Sequence, residues 1–387
     1  MTALKVVITK ATYMSTKPKH NEISSHLQTE ISAGRYKAGA RLPSEVQLVK
    51  QFGVSRPTVA RALRDLEAEG LVERRAGSGT YVRSDQKRNF ASRILGLLMP
   101  GLASTEIFQI ICGEIASLAR VQEYGLLWGG STHPREDLDA SLIHAEELCR
   151  QFIERKINGV FFAPAELEPG QEQANRRLAE SLREAGIPVV LIDRDLRSFP
   201  GRSDFDLVGL DNMTSGYMVA EHLIKLGCRR LCFVARPLSA ATVDARIAGV
   251  REAMTRHRIG TEGGWIRTGD PGDVKFVRSL TAGKHVDAFI CANDFTAAEL
   301  LRSMQSIGIH APKDFRVVGF DDVKYATLVS PPLTTVHQPC RDIAVIAFRT
   351  MLERLAEPFL PARSIYLTPH LVVRESCGAY LPHQKAS

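Results

Sequence analysis

From Ile94 to Phe320 the chain repeats one unit, a short apolar run followed by a stretch with helical spacing. The runs are Ile94–Met99, Gly125–Trp128, Gly159–Ala163, Pro188–Ile192, Asp206–Leu210, Leu231–Ala235, Ala288–Cys291 and Val317–Phe320. Apolar on both faces, they read as strands buried on both sides. The intervening stretches, such as Leu223, Ile224 and Leu226 before Gly227, read as the covering helices. Alternation of this kind predicts doubly wound parallel sheets, an α/β fold. A polar break at Arg197–Asp204 predicts two lobes rather than one continuous sheet.

The chain has 387 residues, more than one compact core uses. No run of eighteen apolar residues occurs, so no transmembrane helix is expected. Residues 1–19 hold only the patch Leu4–Ile8 among lysines, which is neither an export signal nor part of a fold, and read as a leader. The cytoplasm is the expected compartment. The seven cysteines lie mostly in apolar runs such as Leu231-Cys232-Phe233. They read as reduced, buried thiols, with no pairing at metal-ligand spacing.

Charge divides the chain unevenly. The formal net charge is +7, yet residues 1–93 carry 17 Lys and Arg against 8 Asp and Glu, so the whole basic excess lies in the first quarter. That is the footprint of a domain that meets a polyanion. Within it, Ile23, Leu27 and Ile31 have helical spacing, with Gly34 as a stop. Ser44 and Gln47 form a capping box that opens a second helix closing at Gly53. Ser55 is a natural cap for a third, with Pro57 tolerated in its first turn. Val59, Leu63 and Leu66 face one way, and Arg56, Thr58 and Arg61 face the other. Two short helices joined through a glycine turn make a helix-turn-helix. The runs Leu71–Arg75 and Thr80–Val82 then read as a hairpin around Gly77-Ser78-Gly79, whose glycines let the backbone approach DNA with Arg74 and Arg75 beside the phosphates.

The segments Leu42-Pro43-Ser44-Glu45, Val54-Ser55-Arg56-Pro57-Thr58-Val59, Gly70-Leu71-Val72 and Gly77-Ser78-Gly79-Thr80-Tyr81-Val82 resemble the winged helix of the GntR family across residues 20–83. The resemblance implies that Arg56 reads a guanine, that Thr58 contacts the DNA backbone and that Gly77 forms the wing tip. Ser44, Glu45, Ser55, Arg61, Arg74 and Arg75 complete the expected interface. Val46 and Ala60 stand where that family often has arginine, so the operator sequence does not carry over.

Residues 84–92 are polar and aperiodic, a linker. In open parallel sheets, ligands bind beyond the carboxyl ends of the strands. The polar residues there are Asp193-Arg194, Asn293-Asp294 and Asp321-Asp322, with Arg246 added by the loop from Ala241. Carboxylates, an amide and an arginine converging between lobes suit the vicinal hydroxyls of a sugar-like ligand. Asp294 reads as a helix cap, and Trp128, Trp265 and Phe295 as core or rim.

Five segments, Gly209-Leu210-Asp211-Asn212, Asp244–Gly249, Ala292-Asn293-Asp294, Val318–Asp322 and Pro331–Val336, resemble the LacI/GalR sensor domain over most of residues 93–377. The resemblance implies a two-lobed periplasmic-binding-protein-like fold crossed three times by the chain, including crossings near 193–206 and 322–340, with a tail at 378–387. It assigns hydroxyl binding to Asp193, Arg246, Asn293 and Asp321, and the first-lobe wall to Phe108. Arg194, a candidate ligand contact, is not the usual neighbour of that aspartate, and Pro271 replaces the aromatic residue often found after Gly-Asp.

The expected molecule is a homodimeric repressor that binds double-stranded operator DNA and answers to a small sugar-like effector, with no cofactor and no metal. An enzyme of sugar metabolism is the competing class. No Gly-x-Gly-x-x-Gly after a strand, no Gly-x-x-x-x-Gly-Lys-Ser/Thr and no Gly-x-Ser-x-Gly is present. A solute-binding protein for transport would not need the basic N-terminal domain.

Overall fold

A computed structural model describes residues 19–32, 34–37, 39–68, 71–75, 78–82, 93–99, 106–129, 138–167, 169–261, 263–282 and 286–381. The chain divides into two compact units, Met1–Ala91 and Ser92–Ser387. The expected leader (apart from Lys19), the linker at 84–92 and Gly77 lie outside the described residues.

The first unit contains α1 (Lys19–Ser32), α2 (Glu45–Phe52), α3 (Arg56–Ala68), β1 (Val72–Arg75) and β2 (Gly79–Val82). The Ser44 hydroxyl accepts the Gln47 N–H while the Gln47 side chain accepts the Ser44 N–H, and Gly53 closes α2 in the left-handed conformation. The apolar stripes of the three helices meet over Ile23, Leu27, Leu48, Val59, Leu63 and Leu66, with Val72 and Val82 of the hairpin closing the core. β1 and β2 pair antiparallel, and Arg41 forms a single antiparallel bridge to Tyr81.

All eight apolar runs of the second unit are strands, and with four further strands they make two six-stranded sheets. The first lobe is built from β3 (Ile94–Leu98), α4 (Glu106–Val121), β4 (Gly125–Gly129), α5 (Leu138–Glu154), β5 (Gly159–Phe162), α6 (Gln171–Glu184), β6 (Val189–Ile192) and β7 (Asp206–Leu210). The second runs through α7 (Asn212–Lys225), β8 (Leu231–Ala235), α8 (Ala241–Arg256), β9 (Ile266–Thr268), α9 (Val274–Thr281), β10 (Ala288–Cys291), α10 (Asp294–Ser306), β11 (Arg316–Asp321), α11 (Lys324–Leu328) and β12 (Thr334–His337). The chain then returns. α12 (Cys340–Ala356) and β13 (Ser364–Leu367) join the first lobe, and β14 (His370–Val372) ends in the second. Strand order is β13-β7-β6-β5-β3-β4 in the first sheet and β14-β12-β11-β10-β8-β9 in the second; every pairing is parallel except β12 with β14.

The return of α12 explains how the first lobe closes its core. Ile343, Ala344, Ala347, Phe348 and Met351 pack with Leu95, Phe161 and Val190, and Phe348 stacks on Phe161 at 5.9 Å. The chain crosses between lobes at 210–212, 337–340 and 367–370. The crossing expected near 193–206 is corrected: that segment joins β6 to β7, neighbours in one sheet, and stays in the first lobe. Asp206 fixes it there, its carboxylate bonded to Arg354 Nε at 2.9 Å and to the Arg363 amide at 2.9 Å. Residues 378–381, expected as tail, include Ala379 packed on the second core.

In the second lobe α7 and α8 touch backbone to backbone. A Cβ on Gly216 would lie 2.0 Å from the Arg246 carbonyl oxygen, and one on Gly249 would lie 1.9 Å from that of Met213. Gly249→Ala should therefore force the helices apart, lowering stability by about 1–3 kcal/mol, as overpacking does. Chemical denaturation checks this, and a wild-type midpoint would refute the contact. Among the described residues no helix is long and apolar enough to cross a membrane.

Candidate DNA interface and effector cleft

The third helix of the first unit begins at Arg56, whose side chain is 75% exposed. Glu45, at the start of α2, accepts from Arg56 Nε at 3.0 Å and from Arg74 of β1 at 2.5 Å. One carboxylate thereby gathers a cation from the helix and another from the wing strand. Ser55 and Thr58 share a hydroxyl contact of 2.8 Å across the first turn of α3, and Arg61 is exposed on that helix. Arg75 pairs with Glu73 and lies 4.6 Å over the Tyr81 ring, so it belongs to the hairpin's own packing. Arg41 was not anticipated. Its guanidinium lies against Gly79, where a Cβ would come 2.7 Å from Nε and the φ of 127° already favours glycine. Only the β-bridge to Tyr81 places it at the wing, a pairing between segments far apart in sequence.

In the second unit, the carboxyl ends of β5, β6, β10 and β11 bring their polar residues into one network. Asp193 follows β6 and is buried; its Oδ1 accepts from Gln338 Nε2 at 2.8 Å and its Oδ2 from Arg194 Nε at 3.2 Å. Arg194 also pairs with Glu166 at 2.8 Å, and its guanidinium lies 5.1 Å over the Phe108 ring. Arg246, on α8, is 4% exposed. It donates from Nε to Asn212 Oδ1 at 2.8 Å, from one terminal nitrogen to the Ala292 carbonyl at 2.6 Å, and from the other to Asp321 at 3.5 Å.

Asp193, Arg194, Arg246, Asp321 and Phe108 thus lie in one region, while Asn293 sits beside it with a structural task. Its side chain accepts the Thr296 N–H and caps α10. That corrects the reading of Asp294 as the cap. Asp294 is fully buried instead, accepting from Thr335 Oγ1 at 2.6 Å and from the Val323 N–H at 3.1 Å. Glu166, Gln338 and Asn212 were not anticipated as partners. Glu166 and Gln338 come from two different connections and Asn212 from the first turn of α7, and only the topology brings them to the cleft.

The two lobes meet over this network. Glu166 accepts the Ala240 N–H at 3.1 Å, Leu167 N–H reaches the Leu238 carbonyl at 2.8 Å, and Glu106 accepts the Lys324 N–H at 2.9 Å. Burial pushes the Glu166 carboxyl up, but the charge and hydrogen bond of Arg194 bring it below the usual range. For Asp321 burial wins. It raises the carboxyl to about 7, with Asp193 and Glu166 pushing the same way against the pull of Arg246.

The folded unit therefore holds a proton on Asp321 up to about pH 7, whereas an unfolded aspartate releases it near pH 4. The stabilisation linked to that proton is complete below about pH 4 and is lost as pH rises through about 7. The melting temperature of the second unit should fall between pH 5.5 and pH 8, and Asp321→Asn should flatten that slope. An unchanged slope in the variant would assign the effect to another group.

Comparisons with known proteins fit this division. Residues 19–82 match the family described as "Bacterial regulatory proteins, gntR family", and residues 220–377 match the "Periplasmic binding protein-like domain". The arabinose metabolism transcriptional repressor of Geobacillus stearothermophilus is 26% identical over 93% of this chain and 98% of its own length. The transcription regulator GntR from Chromobacterium violaceum is 26% identical, covers 74% of this chain and 99% of its own, and has a TM-score of 0.58. A LacI family transcriptional regulator from Enterococcus faecium, solved with bound ribose, shares the fold at 19% identity and a TM-score of 0.59, over 73% of this chain and 98% of its own. The first unit thus matches the gntR family of bacterial regulatory proteins, and the second matches the periplasmic binding protein-like domain and shares its fold with LacI family regulators.

Proposed function

We propose that this chain is a transcriptional repressor that binds operator DNA through Arg56, Thr58 and Arg61 of α3 and the β1–β2 wing, and is controlled by a sugar or sugar derivative held between the lobes. The observation that carries this reading is the convergence of Asp193 and Asp321, at strand ends of the two lobes, with Arg246 of α8, in a chain whose first unit matches a family of bacterial regulatory proteins. Carboxylates and a forked guanidinium at one place suit neighbouring hydroxyls. The similarity, over 93% of this chain, to an arabinose metabolism transcriptional repressor supports a sugar as the ligand class.

The active form is a homodimer in the cytoplasm. A single reader makes too few base contacts for useful specificity, and paired readers match two half-sites. Because a ligand shifts an equilibrium only by its differential affinity, the sugar acts by favouring one arrangement of the lobes over another. The test begins with selection of bound duplexes from a random-sequence pool. The affinity of the selected duplex is then measured with and without a panel of sugars. A two-fold symmetric site whose occupancy changes with one sugar supports the reading. A protein that selects no duplex, or one whose duplex affinity no sugar alters, overturns it.

A further inference from the structure

One position in the cleft is filled by the chain itself. The Arg194 guanidinium lies over the Phe108 ring and bonds the carboxylates of Glu166 and Asp193, and the residue is only 5% exposed. A ring face flanked by two carboxylates is a cage for a cation. Arg246 does not share the task, since its guanidinium lies 4.5 Å over Phe320 rather than Phe108 and donates to Asn212, the Ala292 carbonyl and Asp321.

The cage is rich in acceptors and poor in donors. Asp193 and Glu166 supply two carboxylates to the single guanidinium of Arg194. The Gln338 side-chain oxygen, beside Asp193, is buried and has no hydrogen-bond partner among the described residues. A neutral molecule that displaced Arg194 would leave two buried carboxylates without their counter-charge, which is strongly unfavourable. A ligand carrying its own ammonium group would replace the lost charge and supply the donor that Gln338 lacks. Arg194 has room to leave, because it borders a cavity of about 190 Å³ lined also by Leu207, Met213, Thr242 and Tyr366.

We propose that the cleft is a cation site that Arg194 itself fills in this structure, and that its effector is a hydroxyl-rich amine, chemically an amino sugar. The ammonium group takes the place of the guanidinium over Phe108 and between Asp193 and Glu166, and the hydroxyls meet Arg246 and Asp321. This rests on the reading that the ligand lies between the lobes, and it narrows the ligand class.

Isothermal titration of the full chain at pH 7 with matched pairs tests it: D-glucosamine against D-glucose, D-galactosamine against D-galactose, and D-mannosamine against D-mannose. At least one amino sugar should bind tenfold or more tightly than its neutral counterpart. That preference should vanish in Glu166→Gln, and Arg194→Met should bind the same amino sugar more tightly than the wild type. The wild-type comparison needs no variant to fold. Equal or tighter binding of the neutral member in every pair that binds overturns the cation site, as does an absence of binding across all six sugars. A neutral sugar that binds and alters operator affinity overturns only this inference. Operator affinity that no sugar alters strikes the proposed function itself.

Discussion

Arg56→Ala should weaken operator binding by roughly 1–3 kcal/mol, about 5- to 150-fold, while leaving the protein as stable as before. Arg56 is the first residue of α3 and projects into solvent, so its removal opens no cavity, and the core beneath it is made by Val59, Leu63 and Leu66. What it loses is a forked donor at the amino end of the helix. The ion pair with Glu45 is exposed on the arginine side and contributes little to stability. It does aim the guanidinium, and it aims Arg74 with the same carboxylate. Glu45→Gln should therefore reduce operator affinity less than Arg56→Ala does, by loosening two cations without removing either. Fluorescence anisotropy on a labelled duplex, with thermal unfolding as the control, measures both. Unaltered operator affinity in Arg56→Ala would remove the residue from the interface.

Arg246→Ala acts in the second unit and should have the larger effect on folding. Arg246 is almost fully buried, and alanine leaves Asn212 Oδ1, the Ala292 carbonyl and the Asp321 carboxylate without their donor. Breaking such a buried pair on one side costs about 3–5 kcal/mol. At the size of this unit that amounts to a fall in melting temperature of the order of 10 °C. Stabilisation by the ligand should disappear as well, because the fork that would receive its hydroxyls is gone. Arg246→Lys restores the charge without the fork, so it should regain part of the stability and none of the ligand response. Differential scanning calorimetry on both variants, with and without the bound sugar, separates the two losses. If Arg246→Ala kept a full ligand-induced shift, Arg246 would have no place in the site.

Much of this architecture is legible in the sequence, because strands buried on both faces leave continuous apolar runs. Each of the eight runs became a strand. The strands that escaped are β9, β12, β13 and β14; three of them lie at sheet edges with partly exposed side chains, so they leave no continuous apolar run. The first crossing was misplaced because a polar loop between strands looks the same whether it changes lobe or not. The sheet order decides that question, and it depends on pairing between distant segments. The proposed site divides in the same way. Strand-terminal residues such as Asp193 and Asp321 are visible because they end an apolar run. Glu166 and Gln338 are not, since each lies in a connection whose course is set by the other lobe. At Asn293-Asp294 both residues can cap a helix, and only the buried position of Asp294 beside Thr335 assigns the cap to Asn293.

Three aspartates around the cleft adopt left-handed backbone angles, with φ of 69° at Asp193, 114° at Asp321 and 55° at Asp322. For most side chains that conformation is costly; glycine accepts it freely, and asparagine and aspartate pay less than the rest. The backbone thus filters the residue types that mutation can install there before any ligand does. Asparagine would keep the shape and drop the charge, glycine would keep the turn and drop the side chain, and a branched residue such as valine would meet a folding penalty first. Descendants of this chain can change what the cleft binds through a narrow set of exchanges at Asp193 and Asp321, whereas helix positions such as Thr242 or Phe295 are open to a broad one.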